Sequence, residues 1–113
     1  MRSEQEAWAS QLRKGVLELA VLGLLADEAK YGSQLVDELA ARPVLKITAG
    51  TVYPLLARLS KAGLVSSSWR ESPVGPPRKY YALTPAGRET LDAMAAAFSS
   101  VSDAVAEIVG GVR

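Results

Sequence analysis

TAGTVYPLLARLSKAG, residues 48–63, puts Val52, Leu55, Leu56 and Leu59 on one arc of a helix and Gly50, Pro54, Ala57 and Lys61 on the opposite one. Thr51, Tyr53 and Arg58 fall at the flanks between them. Thr48 suits an N-cap and Gly63 the left-handed residue just past the end, so both boundaries are written into the segment. Pro54 leaves two alternatives, because its ring presses on the carbonyl of Gly50 and it has no N–H. Either the helix kinks there, or regular helix starts only near Thr51.

Working outward, Ser10 to Ala26 reads as one deeply buried helix, with Leu12, Val16, Leu19, Leu22 and Gly23 at helical spacing and apolar residues on its other sides. Asp27 to Lys30 is a polar break, and Leu35, Val36 and Leu39 then mark a short amphipathic helix from about Gly32 to Ala41, stopped before Pro43. Beyond Gly63, Leu64 to Glu71 is rich in Ser, Val and Trp without helical period, SPVGPP over Ser72 to Pro77 breaks structure, and RKYYAL over Arg78 to Leu83 resumes it. This is a β-hairpin, in which Trp69, Tyr80 and Tyr81 are expected to pack in the core or across strands. Thr84-Pro85 opens a last helix that runs to about Val109, before Gly110-Gly111. The fold class is mostly α with a small β-hairpin (α+β): three helices, a hairpin and a long helix, the order of a winged helix-turn-helix with a C-terminal extension.

Charge is segregated along the chain. Residues 42 to 88 hold Arg42, Lys46, Arg58, Lys61, Arg70, Arg78, Lys79 and Arg88 against Glu71 alone, while both flanks are acidic and the whole sums to +1. A basic surface between acidic flanks points to a polyanion. On the residue 48–63 helix, Gly50 and Ala57 permit close approach to a major groove. Arg58 and Lys61 can reach phosphates or guanine edges there, and Thr51 and Tyr53 can hydrogen-bond. The hairpin adds Arg70, Arg78 and Lys79 beside a short tip. A leucine face backed by polar residues is also what any surface helix shows; the charge clustering and the hairpin favour the groove.

In the last helix Leu91, Met94, Phe98, Val101, Val105 and Ile108 step by three and four, an a/d seam. Such a helix is roughly 39 Å long at ~1.5 Å per residue, too long to be covered by the rest of one chain. A homodimer is expected, with a recognition helix in each copy about one DNA turn (~34 Å) apart and a pseudo-palindromic double-stranded operator. The alternative is a seam that packs on the first helix of its own chain.

The chain has 113 residues, no cysteine and no histidine, so disulfides, thiolate zinc sites and imidazole-dependent catalysis are excluded. The adjacent carboxylates Asp27-Glu28 and Asp37-Glu38 point to different helix faces, which leaves no catalytic pair, no metal site and no cofactor. The longest apolar run, Leu19 to Ala26, is short of the roughly 20 residues that a membrane span needs. The N-terminus, with Glu4 and Glu6, does not read as a signal peptide, and a cytoplasmic location is expected.

The stretches LRKGVLELAVLGLLADEAKYGSQLVDEL, GTVYPLLARLSKAGLV and GPPRKYYALTPAGRETL together resemble the PadR family of bacterial transcriptional regulators over nearly the whole chain. Tyr31-Gly32, Gly50 to Tyr53, Lys79-Tyr80-Tyr81 and Leu83-Thr84 carry the match. The resemblance implies a repressor with its third helix in the major groove, the wing beside it, and a dimer made by the C-terminal helix with the first. The single C-terminal helix is similar to the small, multidrug-sensing subgroup, whose members hold planar aromatic compounds at the dimer interface. That likeness implies an effector site at Phe98, with Trp8 or Leu12 nearby. Phe98 stands where that subgroup has tryptophan, after Ala95 to Ala97, and Ala82 stands where many relatives are basic. The expected division is a DNA-binding unit over residues 1–83 and a dimerisation helix over residues 84–113. The rival to DNA binding is a dimeric module whose basic face meets an acidic protein or a membrane surface.

Overall fold

A computed structural model describes residues 4–45 and 47–110. Lys46 of the basic segment and Gly111 of the final glycine pair lie outside the described residues. In chain order the elements are α1 (Glu4–Arg13), α2 (Leu17–Leu24), β1 (Lys30–Tyr31), α3 (Gly32–Ala40), α4 (Ala49–Lys61), β2 (Val65–Arg70), β3 (Arg78–Leu83) and α5 (Pro85–Ile108). β3 is central in a three-stranded antiparallel sheet, with β1 on one side and β2 on the other. The fold is α+β, a winged helix with a long C-terminal helix.

The core is built where the helix-turn-helix meets the sheet. Val21, Leu22, Leu35, Leu39, Val52 and Leu56 have 1% or less of their surface exposed, and Leu55, Leu59, Val65, Tyr81 and Leu91 close around them. The apolar arc read in residues 48–63 is therefore the buried face of α4. Regular helix already begins at Ala49, so Pro54 lies inside it, and a start near Thr51 is not what forms. Thr48 holds the N-cap position without a side-chain bond. At the far end Gly63 has φ +79°, its N–H donates to Ser60 O at 3.0 Å, and the Leu64 N–H donates to Leu59 O at 3.0 Å. This paired closure satisfies the last carbonyls and turns the chain into β2.

The α5 start is tied to that same turn. Thr84 Oγ1 accepts from the Gly87 N–H at 3.0 Å and donates to Gly63 O at 2.6 Å, while the Thr84 N–H donates to Leu64 O at 3.1 Å. Gly87 packs directly on the Leu64 backbone, and a Cβ there would overlap the Leu64 carbonyl. The N-cap read in Thr84-Pro85 thus also aims α5.

Three expectations are corrected. The first helix is broken in two at Lys14–Val16, where Gly15 adopts φ +111°, a conformation that costs glycine little and other residues much. The expected deep burial holds for α2, with Val21 and Leu22 in the core, but not for α1, where Leu12 is 76% exposed. The polar break at Asp27 to Lys30 hides β1, whose two residues pair as Lys30↔Tyr81 and Tyr31↔Tyr80, too short a strand to show a period of two. Trp69 does not pack in the core: it is 69% exposed on β2, whereas Tyr81 is buried and Tyr80 half-buried.

Candidate nucleic-acid interface

On α4 the face opposite the core is open. Gly50, Pro54, Ala57 and Lys61 are all exposed, and among the described residues Lys61 has no hydrogen-bond or ion-pair partner. The two flanks have different neighbours. Tyr53 leans toward α3, where its ring covers Gly32 so closely that a Cβ there would lie 2.8 Å from the Tyr53 hydroxyl oxygen. Glycine after Tyr31 is what allows this contact. Thr51 and Arg58, on the other flank, line a recess with Leu55, with Leu17 and Glu18 of α2, and with Arg13, Lys14 and Gly15 at the α1–α2 turn.

Strand alternation sorts the wing residues into two sets. Val65↔Leu83, Ser67↔Tyr81 and Trp69↔Lys79 share one sheet face, and Ser66↔Ala82, Ser68↔Tyr80 and Arg70↔Arg78 share the other. The first face carries the buried Val65 and Tyr81 and so looks toward the helices; Lys79 and Trp69 extend it past the core. On the outer face the Arg70 guanidinium carbon stands 4.4 Å from the Tyr80 ring centroid, and that of Arg78 stands 4.4 Å from the Tyr31 ring. Tyr31 and Tyr80 meet edge to face at 5.4 Å. Such stacking holds each arginine by about 0.5–1 kcal/mol at an exposed site. Arg70 and Arg78 therefore do not stand with Lys79, although all three are neighbours in sequence or across the strands.

Tyr81 links the wing to α4. Burial first, and the neighbouring Tyr53 second, push its phenol above the usual tyrosine value, so it is neutral at any physiological pH. Lys79 Nζ lies 5.8 Å from the Tyr81 ring centroid on the same face.

Arg58 is engaged within the chain: its Nη2 meets Glu18 Oε1 at 2.8 Å. The acidic flank read in residues 1–41 thus supplies a partner to a residue of the basic segment. Sequence reading missed Arg13 and Lys14, because the charge count assigned them to that flank; Gly15, as a helix breaker, was the available signal for a turn here.

The C-terminal seam divides. Leu91 is part of the core and Met94 packs against it, so these two belong to the chain's own interior, against α2. Phe98, Val101, Val105 and Ile108 are exposed, Phe98 by 51%. Phe98, Val101 and Val105 line an apolar groove of about 620 Å³ together with Leu12, Val16, Val44 and Leu45. Trp8 is exposed on α1 and is not among the lining residues. Among the described residues no cluster of acidic side chains could hold a metal, and no helix is long and apolar enough to cross a membrane.

Comparison with known proteins fits this geometry. Residues 21–93 match the model of the transcriptional regulator PadR-like family. The transcriptional regulator Rv3488 of Mycobacterium tuberculosis is 36% identical over 81 residues, 72% of this chain and 74% of that protein. A PadR family transcriptional regulator from Eggerthella lenta superposes with a TM-score of 0.81 at 35% identity, covering 91% of this chain and 89% of the other. Bacillus subtilis PadR, solved in complex with operator DNA, has the same fold with a TM-score of 0.62 at 24% identity, over 68% of this chain and 45% of that one.

Proposed function

The chain belongs to the PadR-like family of transcriptional regulators, and on that footing we propose that it binds a pseudo-palindromic operator in duplex DNA as a homodimer and represses transcription from it. One observation carries this reading: the large side chain on the open face of α4 is a cation, Lys61, and the wing carries a second exposed cation, Lys79, where its sheet face extends past the core. A helix with Gly50 and Ala57 outermost can sink into a major groove, where Thr51, Tyr53, Arg58 and Lys61 read edges and phosphates. Lys79 follows the adjoining backbone, and Arg70 and Arg78 add charge along the wing. Residues 1–83 serve DNA and residues 84–113 serve assembly, with the first turns of α5 doubling as core.

For the dimer, support comes from the apolar, exposed α5 residues Phe98, Val101, Val105 and Ile108, which a second copy would cover together with α1. The groove beside Leu12 and Phe98 is the place where a planar aromatic effector would lodge, releasing the repressor from DNA. The work of a transcriptional regulator fits a cytoplasmic protein.

Mobility shift on operator-length duplexes tests the core of this proposal. Lys61→Ala and Arg78→Ala each weaken binding without altering the fold. For a dimer touching ~6 to 8 phosphates, log affinity falls against log salt with a slope of roughly −5 to −7. A flat salt dependence, or binding to acidic vesicles or acidic proteins in place of duplexes, refutes it.

A further inference from the structure

The recess between the α1–α2 turn and α4 has a volume of about 340 Å³ and an unusual charge: Arg13, Lys14 and Arg58 line it against the single carboxylate of Glu18. Its cations are not equally committed. The Arg13 guanidinium donates to Val44 O at 2.8 Å, which fixes it as part of the frame. Among the described residues Lys14 Nζ has only a long contact of 3.3 Å to Gln11 Oε1, in the last turn of α1 just before it. Arg58 is held by Glu18, and both partners are well exposed, with side chains open by 66% and 42%. Thr51 places a hydroxyl on the same wall, and the open geometry at Gly15 leaves nothing within 4 Å of where a Cβ would stand.

We propose that this recess seats a backbone phosphate of bound DNA, and that the Glu18 carboxylate is a resident stand-in for that phosphate which must give up Arg58 when DNA arrives. The inference rests on the DNA-binding reading above and adds a contact on the flank of α4 away from the wing. A helix lying in a major groove has a sugar-phosphate wall on each side. The wing attends one wall, and the recess, reached through Thr51 and Arg58, attends the other. The exchange is cheap because an exposed ion pair is worth about fivefold in affinity at most. It is favourable because a phosphate offers Arg58 and Thr51 several acceptor oxygens and offers Lys14 a counter-charge. Glu18 also acts as a filter: any anion weaker than the closely spaced phosphates of a duplex leaves the internal pair in place.

The decisive variant is Glu18→Gln, which keeps the shape and removes the competing charge. Duplex affinity rises about two- to fivefold per bound chain, and the salt slope stays at the parent's value because Arg58 meets the same phosphate in both proteins. In an Arg58→Gln background the same substitution yields no gain, which separates release of Arg58 from a general change of charge. Lys14→Ala makes the slope shallower by about 0.9 per chain. Thermal melting of each variant confirms an intact fold. If Glu18→Gln binds no tighter than the parent while the parent binds duplex normally, or if Lys14→Ala leaves the slope unaltered, the recess holds no phosphate. If the parent itself ignores duplexes at low ionic strength, it is the DNA-binding reading that fails.

Discussion

Substituting Gly87 by alanine sets two opposed effects against each other, and the packing beneath α5 decides between them. In a helix, glycine to alanine gains up to ~1 kcal/mol from backbone propensity. At Gly87 the added Cβ would overlap the Leu64 carbonyl oxygen and lie 3.0 Å from its carbon and 3.1 Å from Leu83 Cδ2. A Cβ cannot rotate away and a backbone carbonyl cannot step aside, so the cost stands near the upper end of the ~1–3 kcal/mol typical of overpacking. The Thr84 N–H bond to the same carbonyl, 3.1 Å long, is strained with it, at about 1 kcal/mol more. The net loss is about 3 kcal/mol, a fall in melting temperature of roughly 10–15 °C at fixed protein concentration. Gly23→Ala in α2 is the matched control, since a Cβ there meets nothing within 4 Å, and it leaves stability unchanged or raised. Calorimetry or thermal circular dichroism reads both. A Gly87→Ala protein that melts at or above the parent would falsify the docking of α5 onto the α4–β2 turn, and with it the direction in which the seam is presented.

Other consequences can be checked separately. Val101→Asp with Val105→Asp buries unpaired charge wherever these residues meet a partner, so sedimentation should report a monomer; a mass equal to the parent's means the seam is not the contact. Because Tyr81 has a raised pKa in the folded chain, its contribution to stability is complete below the ordinary value of 10.0 and is lost as pH climbs through the folded value. Alkaline titration should therefore destabilise the parent more steeply than Tyr81→Phe, and parallel curves would contradict the burial of this phenol. Planar aromatic compounds that enter the groove at Leu12 and Phe98 should perturb Trp8 fluorescence through α1, and Phe98→Ala should weaken that response several-fold. Silence across a broad panel argues against an effector there.

The amino-acid sequence by itself determined the elements whose signals are local. The arc of Val52, Leu55, Leu56 and Leu59 needed a core on one side only, Gly63 and Thr84-Pro85 marked ends that no other residues satisfy as well, and SPVGPP separated two strands. Periodicity states that a face is buried; what buries it is a separate matter. Six seam residues at one spacing therefore looked equivalent, yet Leu91 and Met94 lie within reach of the winged body while Phe98 onward passes beyond it. The two-residue strand at Lys30–Tyr31 and the pairing of Glu18 with Arg58 arise between segments far apart in the chain, whereas the break at Gly15 is local and is masked by apolar spacing that runs on through it. The separation of Lys79 from Arg70 and Arg78 followed from strand parity once register was known, but register is set by β3 lying between two partners. Tertiary structure alone decided which charges share a surface, because a charge, unlike an apolar side chain, leaves no period in the sequence to say which way it faces.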